Sequence, residues 1–389
     1  MSDELRFADL TEDQLPEVIR IRARSFGLIK PAQQEGWLAD AREFVANGRF
    51  FGVLAGDRVV AAARIWDFEQ WWGGRPVRMA GVAGVVVSPD YRGRGVGSLL
   101  MRGVLERGKA LGYPISALYP ATVVIYRHLG YEFAGGWYKF SFPAADLRLL
   151  GGKDVKLRPG TPDDAELLLD LVASVRGPAR ENGILRWPVD KVRDWLAEDD
   201  NFVYVAEDGF TAYTWDGSEL RVDELVAGSE ATARALWATV GSGSSTAKTV
   251  SAYLSPQDPI HYLLQHEAAA EVNYQRWMLR LLDAPAAIAA RGWNPAVSVD
   301  TEFEIDDVEM PANSGRWRLK VSNGSGELIP ASGTTPAPRL SARGVAALFA
   351  GTALSTLRAS GLASGGGAED DLRLDAAFAG ATPYMLDYF

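Results

Sequence analysis

One run of sixteen residues has types and spacing suited to chemistry: Val85-Val86-Val87-Ser88-Pro89-Asp90-Tyr91-Arg92-Gly93-Arg94-Gly95-Val96-Gly97-Ser98-Leu99-Leu100. Three β-branched residues read as a short buried strand, and Pro89 and Asp90 end it in a turn. Gly93, Gly95 and Gly97 then alternate ahead of an amphipathic helix. Glycines let the backbone approach a phosphate with no Cβ in the way. The first amides of a helix lack intrahelical partners, and the helix dipole adds partial positive charge there. Arg92 and Arg94 add full charges. The chemistry expected is the holding of a pyrophosphate, mostly by backbone N–H groups. A Walker loop would need Gly-Lys-Ser/Thr, which is absent, whereas a Rossmann loop also follows a strand. A glycine-rich turn in an ordinary α/β domain is the plain alternative.

The elements around this run position it. Thr11 and Gln14 have the spacing of a capping box, and Leu15, Val18, Ile19, Arg22 and Phe26 follow at helical spacing. A second helix is expected over 37–45, and strands over 50–54 and 59–65, joined at Gly56-Asp57. Residues 66–72, Trp-Asp-Phe-Glu-Gln-Trp-Trp, read as an aromatic and acidic loop. The next strand, 77–87, is interrupted by Gly81 and Gly84, which mark a bulge or a close backbone approach. After the glycine run come a helix near 95–111, a strand near 115–119 and a short helix carrying Ile125-Tyr126-Arg127-His128-Leu129-Gly130-Tyr131. A final strand is expected near 138–142. Taken alone, Tyr126 reads first as a core aromatic, the commoner fate of a tyrosine, and His128 as a surface or packing residue.

Composition narrows the function classes. A chain of 389 residues suggests two or three domains. The net charge is −10, where a nucleic-acid binder should carry a basic footprint. The absence of cysteine excludes disulfides, thiolate nucleophiles and zinc–thiolate sites, and only 3 histidines argue against a His-rich metal site. No apolar run has membrane-spanning length, and the start, Met1-Ser2-Asp3-Glu4, is acidic where a secretory leader is basic. A cytoplasmic protein with no membrane, nucleic-acid or metal partner is expected.

The form V-x-V-x-P-x-x-R-G-x-G-x-G-x-x-L resembles the acetyl-CoA loop of the GCN5-related N-acetyltransferases (GNATs), and the Y-x-x-x-G-Y segment from Tyr126 is a second mark of that family. The pattern then restarts. Residues 155–164, Val-Lys-Leu-Arg-Pro-Gly-Thr-Pro-Asp-Asp, echo 5–14, and strands near 202–206, 210–215 and 220–226 follow. Where a second cradle should come stands Ala227-Gly228-Ser229-Glu230-Ala231, with neither Arg nor G-x-G. This copy is expected to bind no CoA. Residues 147–154 read as a linker, and 241–245 and 363–367 as loose loops. From 285 onward, alternating strands and a helix from Ser341 resemble a sterol-carrier-like α+β fold. The fold class expected is α/β (α+β): a catalytic GNAT domain over 1–148, a degenerate GNAT-like domain over 149–284 and a sterol-carrier-protein-like domain over 285–389.

The whole resembles the Eis (enhanced intracellular survival) family. That resemblance implies acetyl transfer from acetyl-CoA to amines of a small cationic substrate, often an aminoglycoside, in a homohexamer of two trimers. It implies that the backbone of Val85, Val86 and Val87 holds the pantetheine. By the same pattern Gly93, Arg94, Gly95, Val96, Gly97 and Ser98 hold the pyrophosphate beside Arg92, and Ala121 and Thr122 lie along the cofactor. Tyr126 would be the general acid, and the α-carboxylate of Phe389 the general base. An amine must lose a proton before attack and the departing thiolate gains one, so one basic and one acidic group suffice. Candidate acceptor-site residues are Phe26, Trp37, the run 66–72 and Asp387, with Asp67, Glu69 or Asp387 to attract an ammonium. Mycobacterial-type members have a strongly acidic mouth, whereas this tail carries one side-chain carboxylate, Asp387, beside Tyr388 and Phe389. Two other functions fit the same residues: acetylation of a protein lysine or a natural-product amine, and carriage of an apolar ligand beside a vestigial CoA site.

Overall fold

The computed structural model describes residues 4–265 and 271–389; the acidic start Met1-Ser2-Asp3 lies outside them. Strands β1 (Leu5–Asp9), β2 (Phe50–Ala55), β3 (Arg58–Trp72), β4 (Arg75–Val87) and β5 (Ile115–Leu118) line up in that order. Helices α1 (Leu15–Phe26) and α2 (Pro31–Ala46) cover one face, packing Val18, Ile21, Ala41 and Phe44 on Val59, Ala62 and Val86. Helix α3 (Val96–Ala110) covers the other, its Leu100, Met101 and Val104 on Ala61, Ala63, Ile65 and Val82. Alternation along β3 therefore decides which side chains face which helices. The run 66–72 is the end of strand β3, not a loop, and Gly73-Gly74 turns it into β4.

The chain continues through α4 (Val123–His128), β6 (Glu132–Pro143) and α5 (Ala144–Arg148) into the second copy. That copy contains β7 (Arg158–Pro159), α6 (Ala165–Ala179), β8 (Leu185–Arg186), α7 (Val189–Leu196), β9 (Phe202–Val205), β10 (Gly209–Asp216), β11 (Glu219–Ala227), α8 (Glu230–Gly241), β12 (Thr249–Tyr253), α9 (Ile260–Leu263) and β13 (Glu271–Leu281). Both copies open on a capping turn: Thr11 N–H donates to the Gln14 carboxamide at 3.0 Å and Thr161 N–H to the Asp164 carboxylate at 2.8 Å. Residues 242–245, read as a loose loop, form a tight helical turn.

The two copies exchange their last strands. β13 pairs antiparallel with β5, Leu281 opposite Ile115 and Met278 opposite Leu118. β6 pairs with β12, Val250 opposite Phe142. β6 and β13 also pair with each other, so all these strands form one 14-stranded sheet. The linear reading keeps each final strand with its own copy; the sheet does not.

The third part has α10 (Ala284–Ala290), β14 (Val299–Asp306), β15 (Gly315–Ser322), β16 (Ser325–Pro330), β17 (Pro338–Ser341), α11 (Ala342–Phe349), α12 (Leu354–Ala359), β18 (Ala363–Gly365), α13 (Ala368–Phe378) and β19 (Tyr384–Met385). Five of these six strands form their own sheet, in the order β16-β15-β14-β17-β18, and β19 joins the large sheet beside β6. The stretch 363–367, read as a loose loop, begins with β18. Among the described residues no helix is long and apolar enough to cross a membrane.

A fully buried ion pair ties the third part to the exchanged strand. Arg280 on β13 donates from Nη2 to both Asp307 oxygens at 2.6 and 2.7 Å. Asp307 also accepts from Met310 N–H at 3.0 Å and from Asn313 Nδ2 at 3.1 Å. Removing one partner of such a pair strands the other charge. Asp307→Ala is expected to cost about 3–5 kcal/mol, read as a shift in the denaturant midpoint.

Candidate functional site

The glycine run forms a turn at the end of β4 and the start of α3. Gly93 and Gly95 take φ of +74° and +76°, a region that L residues with a Cβ avoid. No side chain caps α3. The amides of Val96, Gly97 and Ser98 find no acceptor among the described residues; the first helical bond is Leu99 N–H to Gly95 C=O at 3.0 Å. Arg92 braces the turn, donating to Val87 C=O at 3.2 Å and to Ser25 Oγ at 3.0 Å. Arg94 lies over the Tyr91 ring, 5.4 Å from its centroid, without an acidic partner among the described residues. Open amides at a helix N-terminus beside a free guanidinium suit a diphosphate. The second copy closes the same position by itself. Ser229 accepts from Thr232 N–H at 3.3 Å, and the Thr232 hydroxyl donates to Asp208, so a carboxylate already stands at that helix end.

A slot leads away from the turn. β4 and β5 pair only from Met79–Ile115 to Gly81–Ala117. Beyond them the strands part, and the β3–β4 register shifts around Gly84, whose φ is +64°. Val85, Val86 and Val87 form one rim of the opening; Ala121 and Thr122, both exposed, follow β5 on the other. Tyr126 on α4 is buried, with its ring edge-on to Tyr131 at 6.0 Å. Burial pushes its hydroxyl up to about 12, so it stays protonated at neutral pH.

The C-terminal segment runs between the copies. Tyr384 and Met385 pair parallel with Gly136 and Trp137 of β6. A Cβ on Gly135 would stand 2.3 Å from the Pro383 carbonyl, so the close approach needs glycine. Tyr119 O–H donates to Asp387 C=O at 2.8 Å, and Trp137 Nε1–H to Leu386 C=O at 3.0 Å. Trp187 Nε1–H donates to the Asp387 carboxylate at 3.1 Å. The Phe389 ring meets Phe68 at 5.1 Å and Tyr119 at 5.7 Å. It also lies over Gly81, where an added Cβ would be 3.1 Å away. Among the described residues no ion pair engages the Phe389 carboxylate, and no hydrogen bond or ring contact joins Phe389 to Tyr126. They belong to different packing groups, around Phe68 and around α3.

Other candidates fall elsewhere. Phe26 is exposed at the end of α1, beneath Arg22. Trp37 packs edge-on to Phe50 at 6.5 Å, and no ring contact joins it to Phe389. Asp67 pairs with Arg49 at 3.0 Å and Arg78 at 3.4 Å, and Glu69 with Arg186 at 2.7 Å. Their alternation on β3 points them away from the face that carries Trp66 and Phe68. Tyr119, Trp137 and Trp187 seat the tail, and no local spacing marks them, because their partners are far along the chain.

Beyond Trp187 a cleft of about 670 Å³ opens in the second copy, with Trp187, Trp195, Trp215, Asp223, Glu224 and Asp387 on its walls. Arg176 is buried beneath it, paired with Glu224 at 2.5 Å and Glu181 at 3.6 Å. Glu181 in turn accepts from Tyr384 O–H at 2.9 Å. Burial, with Glu224 nearby, raises the Asp387 carboxyl to about 7.

An acetyltransferase fold with an open cradle, a self-capped second copy and a sheeted third domain define an acetyltransferase of composite build. The acetyltransferase (GNAT) domain family matches residues 6–134, a second acetyltransferase (GNAT) domain family matches 177–281, and the sterol carrier protein domain family matches 284–386. The N-acetyltransferase Eis of Mycobacterium tuberculosis is 27% identical over 97% of this chain and 98% of its own. An uncharacterized N-acetyltransferase of Streptomyces coelicolor is 27% identical over 87% of this chain and 88% of its own. The crystal structure of a GCN5-related N-acetyltransferase from Kribbella flavida is 60% identical, covers 100% of this chain and 99% of its own, and superposes with a TM-score of 0.98. Eis1 from Mycobacterium abscessus, at 22% identity, shares the fold with a TM-score of 0.77 over 99% of this chain and 100% of its own. The chain belongs to the GCN5-related N-acetyltransferases, and it is similar to Eis along nearly its whole length.

The buried Asp387 sets a pH dependence. Its carboxyl titrates near 7 folded and near 3.8 unfolded, so the folded state holds the extra proton between those values. Stability from this group is therefore full below about pH 4 and falls as pH rises toward 7. Asp387→Asn keeps an acceptor for Trp187 and is expected to flatten that part of the melting-temperature profile.

Proposed function

We propose that the chain transfers acetyl from acetyl-CoA to a primary amine of a small molecule, in the gap between the C-terminal residue and the parted strands. The observation that carries this is the seating of Phe389 over Gly81, on the strand that runs on to the cradle. Val85, Val86 and Val87 offer backbone to the pantetheine, and the open amides of Val96, Gly97 and Ser98 offer donors to the pyrophosphate. Gly93 and Gly95 shape that turn, Arg92 braces it, Arg94 adds charge, and Ala121 and Thr122 supply the second rim. Acetyl-CoA supplies the electrophilic thioester. The Phe389 carboxylate accepts a proton from the incoming ammonium, directly or through water, and the Tyr126 hydroxyl, with no partner among the described residues, donates one to the leaving thiolate. The second copy acts as wall and scaffold, since its own helix end is closed by Ser229 and Asp208.

For the acceptor, Asp194, Glu198 and Asp200 on the cleft wall, which form no ion pair among the described residues, favour a positively charged amine, and this is the support for an aminoglycoside-like substrate. Against a polycation stands the pairing of Asp67 and Glu69 with arginines. A natural-product amine of mixed charge fits these two observations better. A cytoplasmic homohexamer belongs to the same proposal. Exposed Val272 and Tyr274 on β13, with Tyr262 on α9, support burial against another copy. Light scattering on a sizing column is expected to give six chains per particle, and a monomer would remove that part of the reading.

The test is release of CoA from acetyl-CoA across a panel of amines, aminoglycosides among them. Tyr126→Phe is expected to lower kcat by about 10²–10⁴-fold with acetyl-CoA binding kept. One alanine appended after Phe389 moves the carboxylate and is expected to act comparably. An unaffected extended chain would remove Phe389 from the mechanism. Acetyl-CoA binding with no turnover on any amine would favour a carrier role instead.

A further inference from the structure

The face of β3 that looks toward α1 and α2 carries Arg64, Trp66 and Phe68 in succession. Arg64 is more than half buried and makes no ion pair or hydrogen bond among the described residues. Its Nε is enclosed without an acceptor, and so is Nε1 of Trp66. The guanidinium carbon stands 5.1 Å from the Phe44 ring centroid and 5.2 Å from that of Trp66. Two orphaned N–H donors thus lie side by side between aromatic walls. Enclosed donors without acceptors are uncommon and call for a partner. The nearest charges do not provide one. Asp40 is exposed on α2 and forms no bond to Arg64, and Arg22, which has the same sign, is turned to Gly27 C=O at 3.3 Å.

The position of Arg64 matters more than its burial. It is opposite Ala83 in the sheet, and a Cβ on Gly84 would stand 3.9 Å from its Nε. Trp66 is opposite Gly81, over which the Phe389 ring lies. Arg64 therefore lies two residues, about 7 Å of strand, from the position whose sheet partner the Phe389 ring covers. The bulge where β4 opens lies at the Arg64 end. The glycine turn is farther on, past Val87, whereas Arg64 is opposite Ala83.

We propose that Arg64 and Trp66 bind a carboxylate of the acceptor, so that the molecule acetylated is an amino-acid-like zwitterion whose amine faces Phe389 and whose acid faces Arg64. Phe44, Trp66 and Phe68 suit an apolar or flat body between the two ends. This rests on the acetyltransferase reading above and narrows its acceptor. Arg64 is a specificity residue here, with no part in proton transfer.

The experiment compares matched acceptors with and without the acid: phenylalanine against phenethylamine, and tryptophan against tryptamine. In wild type the acids are expected to be the better substrates by kcat/KM. Arg64→Gln should lower kcat/KM for the acids by about 10–100-fold, mainly through KM, and change the decarboxylated amines by less than about 3-fold. Arg64→Lys, which keeps the charge but not the planar fork, should fall between. Titration calorimetry provides a second readout that needs no turnover. N-acetylphenylalanine should bind wild type and be lost to Arg64→Gln, while acetyl-CoA affinity and the melting temperature hold. Equal loss for acids and amines, or a raised KM for acetyl-CoA with every acceptor, would overturn the proposal by assigning Arg64 to packing or to the cosubstrate. Turnover with no preference for the acid would also overturn it while leaving acetyl transfer intact. Absence of turnover on every amine would remove the acetyl-transfer reading, and calorimetry would still decide whether Arg64 binds the carboxylate.

Discussion

The working arrangement depends on a short parallel pairing, Tyr384 and Met385 against Gly136 and Trp137. A chain end is ordinarily free to fray. Here two backbone carbonyls near the end, those of Leu386 and Asp387, accept from Trp137 and Tyr119, and Trp187 holds the Asp387 carboxylate. These bonds place Phe389 to within a side chain of the strand that carries the cradle. Without them the chemistry assigned to the terminal carboxylate would have no fixed geometry, and effective positioning is a large part of what such a site contributes.

That pairing is possible because the two acetyltransferase copies form one sheet. β6 presents an edge to the tail only because β13 occupies its other side and β12 meets it farther on. The second copy, closed at its own helix N-terminus, serves the first by supplying a strand, a tryptophan and the wall of a cleft. The buried Arg280–Asp307 pair then fastens the third domain to the same exchanged strand, so the tail leaves that domain from a fixed base.

What was legible in the sequence was local. The cradle shows itself because Gly93, Gly95 and the helix start lie within a few residues of one another, and the repeat because Thr11 and Thr161 open matching capping turns. Strand exchange was not legible: alternation announces a strand, but says nothing of which neighbour it pairs with. The run 66–72 reads as a loop because six of its seven residues are aromatic or acidic, yet strict alternation sends Trp66 and Phe68 to one face and Asp67 and Glu69 to arginines on the other. Arg64 carried no signal, since a charged residue in a strand usually faces water. The roles of Tyr126 and Phe389 came from family resemblance, and the fold seats both near the slot without bringing them into contact.

The exchange of strands has a consequence for how the protein is made. Ile115 pairs with Met79 on one side but finds its second sheet partner only at Leu281, and Gly136 finds the tail only at Tyr384. On the ribosome the first copy can collapse early, but its sheet stays open at β5 until the second copy has emerged. Long-range pairing of this kind slows folding and leaves an unpaired edge exposed meanwhile. The nascent chain, although its glycine turn is local and early, cannot seat Phe389 over Gly81 until Tyr384 and Met385 have reached β6. The surface over Gly81 is thus assembled late, by residues far along the chain from the strand they cover.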